Sequence, residues 1–249
     1  MSSFDAETLC GGALPAFGPE DLDPGFAAAL AENTPAAWRE VVDEPFARVY
    51  TFRLLTDAAL ARFDREIDER ANRARAAGLE LEAPNGMHEY GFVLDGLGFR
   101  ARLEDVMSRL LAPLCRSLYP DLGGGELDQH HGFLVEYARD KDEDLGFHVD
   151  DSEVTLNLCL GREFEGGDLY FRGLRCPRHM QTLPEPHESY EYPHEPGVAL
   201  IHAGKHRHGV DYLRSGLRRN LILWCRNSSY REQANVTVPC PEWCGRFSG

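Results

Sequence analysis

Apolar positions along this chain follow two regimes that meet near residue 125. Before it they recur at helical spacing; after it they fall in short runs separated by glycine turns. Thr56-Asp57 caps a helix running to about Ala77, with Leu60, Phe63 and Ile67 as its apolar stripe and Gly78 as its stop. A second helix is expected from about Leu103 to Leu118, burying Val106, Met107, Leu110, Leu111 and Leu114; Pro113 kinks it and Pro120 ends it. Residues 1 to about 45 are rich in Ala, Pro, Gly and acids, with a short helix around Phe26 to Leu30. Strands are expected at Phe133–Tyr137, Val154–Leu160, Asp168–Phe171, Gly197–His202, Gly209–Leu213 and Asn220–Cys225. Helices followed by short strands imply a mainly β, α+β fold: a β-sandwich or barrel with helices packed on one outer face. One structural unit results, with supporting helices in residues 1–125, a β core in 126–230 and a tail in 231–249. The segment from Arg172 to Gly197 has many prolines and no clean period, and reads as a lid or substrate loop, or as a passive insertion.

Composition narrows the function classes. The chain has 249 residues, 43% hydrophobic and 10% aromatic, enough for a core. Its net charge of -15 disfavours a nucleic-acid backbone as partner, although Arg214, Arg218, Arg219, Arg226 and Arg231 crowd near the C-terminus. No apolar run approaches a membrane span, and the N-terminus lacks the basic and apolar regions of a secretory signal, so the expected location is cytoplasmic. Seven cysteines, an odd number, do not read as a disulfide framework. Cys240 and Cys244 stand at C-x3-C spacing; they are read as two tail cysteines near a turn, the alternative being zinc shared with Cys176 and His179.

The chemistry concentrates in one pattern. His148-Val149-Asp150 is followed by His208 and then by Gly216-Leu217-Arg218. Two imidazoles and a carboxylate are the ligands of a facial-triad iron site, which leaves one face of the metal open. His202 and His206 flank the same turn as His208 and compete with it. Along an extended strand Arg218, Asn220, Ile222 and Trp224 share one face and Arg219 takes the other. A guanidinium pointing into a barrel needs an anion, because a buried unpaired charge is costly. A rival metal reading is calcium at Asp140, Asp142 and Asp144, but the sixth position of that loop is Leu145 where a glycine is needed, and the twelfth is Asp151 rather than Glu.

From Tyr137 to Arg226 the chain resembles the iron(II)/2-oxoglutarate-dependent dioxygenases, in particular the prolyl and lysyl hydroxylase branch. The resemblance is carried by Tyr137, His148-Val149-Asp150, Thr155-Leu156-Asn157, Gly166-Gly167-Asp168-Leu169, His208, Gly216-Leu217-Arg218 and Trp224; the stretch with His202-Ala203-Gly204 is most like the lysyl hydroxylases. It implies a double-stranded β-helix (jelly roll) with Fe(2+) held by His148, Asp150 and His208, His208 being preferred for its interval to Arg218. It also implies 2-oxoglutarate as cosubstrate with its distal carboxylate on Arg218, O2 as oxidant and L-ascorbate as reductant. Tyr137, Asn157 and Trp224 are carried over as cosubstrate contacts, although Tyr137 and Asn157 equally fit satisfied core groups. Cys159 stands where some prolyl hydroxylases carry a carboxylate-binding tyrosine. The implied activity is hydroxylation of a Lys or Pro side chain in a peptide or protein, or of a free amino acid, with 2-oxoglutarate decarboxylated to succinate. Related halogenases lack the carboxylate that Asp150 supplies. The alternative is a noncatalytic jelly-roll module that binds metal or ligand without turnover.

Overall fold

A computed structural model describes residues 11–161, 163–176 and 179–234. Two short helices open it, α1 (Pro24–Glu32) and α2 (Pro35–Val41), each with proline in its first turn and a capping side chain, Asp23 or Thr34, that accepts backbone N–H groups. Strands β1 (Asp43–Phe46) and β2 (Val49–Arg53) lead into α3 (Asp57–Ala76). Thr56 caps α3, and Leu60, Phe63 and Ile67 are buried as their spacing requires. After β3 (Gly91–Val93) come α4 (Arg100–Asp105), a π-helical stretch from Val106 to Leu111, and α5 (Ala112–Leu118). The expected kink at Pro113 thus takes the form of a widened turn. The Ala112 N–H reaches back five residues to Met107, and the wider turn relieves the clash of the proline ring with the carbonyl four residues before it.

The rest is strand: β4 (Gln129–Tyr137), β5 (Leu145–His148), β6 (Val154–Gly161), β7 (Phe164–Gly166), β8 (Leu169–Leu174), β9 (Ser189–Tyr192), β10 (Val198–Ala203), β11 (His206–Val210), β12 (Leu213–Gly216) and β13 (Arg218–Arg226), then helix α6 (Ser228–Ala234). A seven-stranded antiparallel sheet runs β1-β2-β10-β6-β13-β4-β3, a four-stranded one β5-β11-β8-β9, and β7 pairs with β12. Among the described residues the sheets are not hydrogen-bonded into one closed barrel. Three strands of the large sheet come from the first 125 residues, which therefore do more than supply supporting helices. The expected strand at Gly209–Leu213 is divided: β11 ends at Val210 and β12 begins at Leu213. The segment between Arg172 and Gly197 is not a bare loop, since β9 pairs with β8 and Glu188 forms an ion pair with buried Arg175.

Strands β6 and β13 are buried on both faces, and their alternation sorts side chains by chemistry. Leu156, Leu158, Leu160, Leu221, Leu223 and Cys225 pack outward into the core shared with Phe63, Ile67, Leu103 and Leu110 of the helical layer. At about 1.5–3 kcal/mol for each large apolar side chain, that core anchors the sheet. The alternate positions carry Thr155, Asn157, Arg218, Asn220, Ile222 and Trp224. Ile222 and Trp224 join Phe133, Val135 and Tyr137 of β4 in a second core against Leu169, Phe171 and Val210 of the smaller sheet. Polar groups on an inward face need ligands or one another, and the candidate site lies there.

Candidate active site

His148 ends β5 and lies directly opposite His208 of β11, so that their rings stand 4.3 Å apart. Asp150 follows in the turn after β5. Its backbone N–H donates to Gly204 (2.8 Å), in the turn after β10, which docks the two turns together. Gly204 is needed there, because a Cβ would lie 2.1 Å from the Ser152 carbonyl oxygen. One carboxylate oxygen of Asp150 is 3.6 Å from His148 Nε2 and the other is 3.7 Å from His208 Nε2. These three residues form a cluster whose candidate ligand atoms lie within 4.8 Å of one another.

Each imidazole is oriented by its other nitrogen. His148 Nδ1–H donates to the Gly146 carbonyl (2.8 Å) and His208 Nδ1–H to that of His206 (2.8 Å), so both Nε2 lone pairs face the cluster. Thr155 Oγ1 donates to Asp150 (2.6 Å), and Ser152 donates in turn to Thr155 (2.7 Å). Burial alone would raise the Asp150 pKa, but the histidines around it outweigh that and hold it well below the usual carboxylate range. Burial holds His208 far below its ordinary value, against the pull of Asp150, and leaves it a neutral ligand.

The two competing histidines sit differently. His202 Nδ1–H donates to the Ala203 carbonyl (2.9 Å) and its Nε2 lies 3.7 Å from Asp150, beside the cluster rather than in it. His206 lies between Phe46 and Phe171, with neither ring nitrogen hydrogen-bonded. Asp142, of the calcium reading, turns instead to the backbone N–H groups of Glu89 and Tyr90. Cys240 and Cys244 lie outside the described residues; Cys176 Sγ is 3.1 Å from His179 Nδ1.

Arg218 opens β13 just beyond Gly216, whose φ of +84° and backbone contact with Glu163 exclude a side chain. Its guanidinium is fully buried; among the described residues no carboxylate lies within ion-pair distance, and Nε and Nη1 have no hydrogen-bond partner. Nη2 donates to His194 Nδ1 (3.2 Å), and the Tyr137 ring lies 5.5 Å from the guanidinium carbon. Arg219, on the opposite face, pairs with Asp64 (2.7 Å) and Asp68 (2.9 Å) of α3. Arg226 and Arg231 pair with Asp151, so most of the C-terminal arginines are already matched by acids. Asn157 accepts a hydrogen bond from Asn220 (2.5 Å). Trp224 is placed away from Arg218. It sits across from Thr155, six positions along β13 and roughly 20 Å distant at about 3.3 Å per residue, with Phe133 and His131 around its ring.

A family model described as the OGFOD2-like domain matches residues 16–124. The 2-oxoglutarate and iron-dependent oxygenase domain-containing protein CP2 of Arabidopsis thaliana is 43% identical over 222 residues, 89% of this chain and 56% of that protein. The chain belongs to the 2-oxoglutarate- and iron-dependent oxygenase superfamily. It spans a little over half the length of its Arabidopsis relatives. Procollagen-lysine,2-oxoglutarate 5-dioxygenase 1 of Gallus gallus is 27% identical over 180 residues, 68% of this chain and 24% of that protein. Among solved structures, a prolyl 4-hydroxylase of Phytophthora capsici aligns over 95% of this chain and 75% of its own, with a TM-score of 0.56 at 10% identity, a likeness of fold.

The residues present fit the iron and 2-oxoglutarate on which this superfamily depends. Two oriented Nε2 lone pairs and a buried carboxylate are a divalent-metal donor set, and the orphaned donors of Arg218 call for an anion. Two further histidines line the same interior and escaped sequence reasoning. His194 touches Arg218 and Asn220. His88, from the α3–β3 connection, accepts the Tyr137 hydroxyl proton (3.1 Å), because its Nδ1 hydrogen is committed to Asn85 Oδ1 (3.0 Å). Each stands alone in an aperiodic polar segment, with no motif to mark it.

Proposed function

We propose that this chain is an iron(II)/2-oxoglutarate-dependent hydroxylase built on a double-stranded β-helix, with His148, Asp150 and His208 as metal ligands. The observation that carries the reading is a buried guanidinium, Arg218 of the seven-stranded sheet, without an acid partner among the described residues, in a fold whose four-stranded sheet and the turn after β5 carry a His-Asp-His cluster. Arg218 takes the distal carboxylate of 2-oxoglutarate through donors that otherwise have no partner. Bound iron supplies the activation of O2 coupled to decarboxylation of 2-oxoglutarate. The protein does the rest. Gly146 and His206 carbonyls fix the ligand tautomers, Thr155 fixes the Asp150 carboxylate, and Phe133, Phe171 and Trp224 keep the interior dry. Tyr137 and Asn157 lie on the Arg218 side of this interior and bound the cosubstrate, whereas Trp224 belongs to the far end of the strand.

The substrate class is a Lys or Pro side chain of a peptide or protein, or a free amino acid. Support comes from likeness to procollagen-lysine dioxygenase in sequence and to prolyl hydroxylases in fold. L-ascorbate serves as reductant, and the location is cytoplasmic. Nucleic acid is not the partner, given the charge of -15 and the acid-matched arginines. Among the described residues no helix is long and apolar enough to cross a membrane. The test is anaerobic loading with Fe(2+), then succinate release from 2-oxoglutarate across a panel of lysyl and prolyl peptides and free amino acids, with product mass measured. Succinate with a gain of one oxygen on a panel member supports the proposal. Tight binding of metal and 2-oxoglutarate with no turnover on any member indicates the noncatalytic module instead.

A further inference from the structure

The inward-facing residues at the Arg218 end form a hydrogen-bonded set centred on His194. His194 lies between β9 and β10, is 3% exposed, and donates Nε2–H to the Val198 carbonyl (2.9 Å). A carbonyl can only accept, so the proton is on Nε2 and Nδ1 is a bare acceptor. That one lone pair faces Arg218 Nη2 and Asn220 Nδ2, each at 3.2 Å, and Asn220 continues to Asn157. One Nη2–H is engaged in this way, while Nε and Nη1 of Arg218 have no partner among the described residues and are open to a ligand.

We propose that His194 is the positioning residue of the cosubstrate clamp: a neutral acceptor that holds the Arg218 guanidinium in place without cancelling its charge. This rests on the reading of Arg218 as the carboxylate clamp. The chemical identity of the group matters. An aspartate or glutamate at this position would anchor the guanidinium equally well, but it would supply the counter-charge itself and compete with the incoming carboxylate. An aliphatic group would leave the charge but release the orientation. A neutral acceptor, itself locked by the Val198 carbonyl, orients the guanidinium and leaves its positive charge for the ligand. Asn220 and Asn157 extend the same neutral lining, so no acid of this network opposes the ligand. The segment that delivers His194, irregular in sequence, thus has a defined task at its C-terminal end.

The test is calorimetric titration of 2-oxoglutarate into Mn(2+)-loaded protein carrying His194→Gln, His194→Leu or His194→Glu, with Arg218→Ala as reference and the melting temperature of each metal-free protein recorded. Glutamine keeps an acceptor and a donor and should bind within about threefold of the unchanged protein; leucine should lose about tenfold, the scale of one charged hydrogen bond. Glutamate should bind weakest of the three, by about a hundredfold or more, while melting no lower than the leucine variant, since it forms a buried pair with Arg218. A purely structural role predicts that affinity follows melting temperature, so Glu binding as well as Gln, or affinity ranked by stability, overturns the inference. If Arg218→Ala loses 2-oxoglutarate but His194→Leu does not, the His194 inference alone fails. If Arg218→Ala binds as the unchanged protein does, the clamp reading fails and this inference with it.

Discussion

Adjacent arginines on β13 meet opposite demands. Arg219 is neutralised by Asp64 and Asp68 and approached by Glu136 (3.1 Å), so it ties the sheet to α3. Among the described residues Arg218 has one hydrogen-bond partner, the neutral His194. Arg218→Ala should therefore weaken 2-oxoglutarate by about 2–5 kcal/mol, roughly 30-fold or more, with metal affinity unchanged and little cost in stability, since it removes a buried charge without an acid partner. Arg219→Ala should leave cosubstrate affinity alone and lower stability by about 1–3 kcal/mol, discounted for the partial exposure of its acids. Calorimetry and urea unfolding on both variants separate the two effects, and reversed sensitivities would mean that the clamp is misassigned. The histidines divide in the same way. His148→Ala or His208→Ala should abolish stoichiometric Mn(2+) binding, read by metal analysis after desalting. His202→Asn should retain it, because His202 stands beside the cluster and not in it. Metal lost only in the His202 variant would move the ligand set by one strand.

Elements legible in the sequence were those whose local signal and tertiary role agree. The Thr56 cap, the Leu60-Phe63-Ile67 stripe and Gly78 define α3 by themselves, and helix and strand bounds here differ from expectation by only a few residues. Of the strands that were missed, β5 and β9 lack such agreement. β5 carries Gly146 and exposed Phe147 at the edge of its sheet, and β9 is four residues alternating between half-buried and exposed. Their pairing with β11 and β8, not their composition, makes them strands. The His148-Asp150-His208-Arg218 pattern was readable because spacing encodes it. His88 and His194 were not, because only the folded connections bring them inward. Among the motif residues, Gly216 has a backbone role that can be tested directly. Its Cβ would lie 2.0 Å from the Glu163 carbonyl oxygen at a φ of +84°, so Gly216→Ala should cost at least about 2 kcal/mol and displace the start of β13. Urea midpoints measure the first effect. A loss of 2-oxoglutarate affinity larger than that of metal affinity identifies the second, and a variant as stable as the parent would refute both.

On the scale of the whole molecule, a chain of net charge -15 encloses an interior lined by neutral histidines, and this couples its stability to acid. Burial pushes His88 down to about 4 and His194 down to about 3, the second also through the neighbouring Arg218 charge. Burial likewise lowers His202, His206 and His208. In the unfolded chain such groups titrate near about 6.5. As pH falls below that value the unfolded state takes up protons that the folded state refuses, so the folded state binds fewer protons and loses stability. The contribution of each histidine is intact above about pH 6.5 and declines down to its folded pKa, at up to about 1.4 kcal/mol per pH unit. Between pH 6.5 and 5.0 the metal-free protein should therefore become markedly easier to unfold in urea, well before the ion-paired carboxylates titrate. His194→Gln removes one such group and should reduce the loss at pH 5.0 by about 2 kcal/mol relative to the unchanged protein. Because the comparison is between two proteins at the same pair of pH values, the other histidines cancel. Equal losses in the two proteins would show that His194 is protonated in the folded state, which would also place a second positive charge against Arg218 and contradict its bare Nδ1.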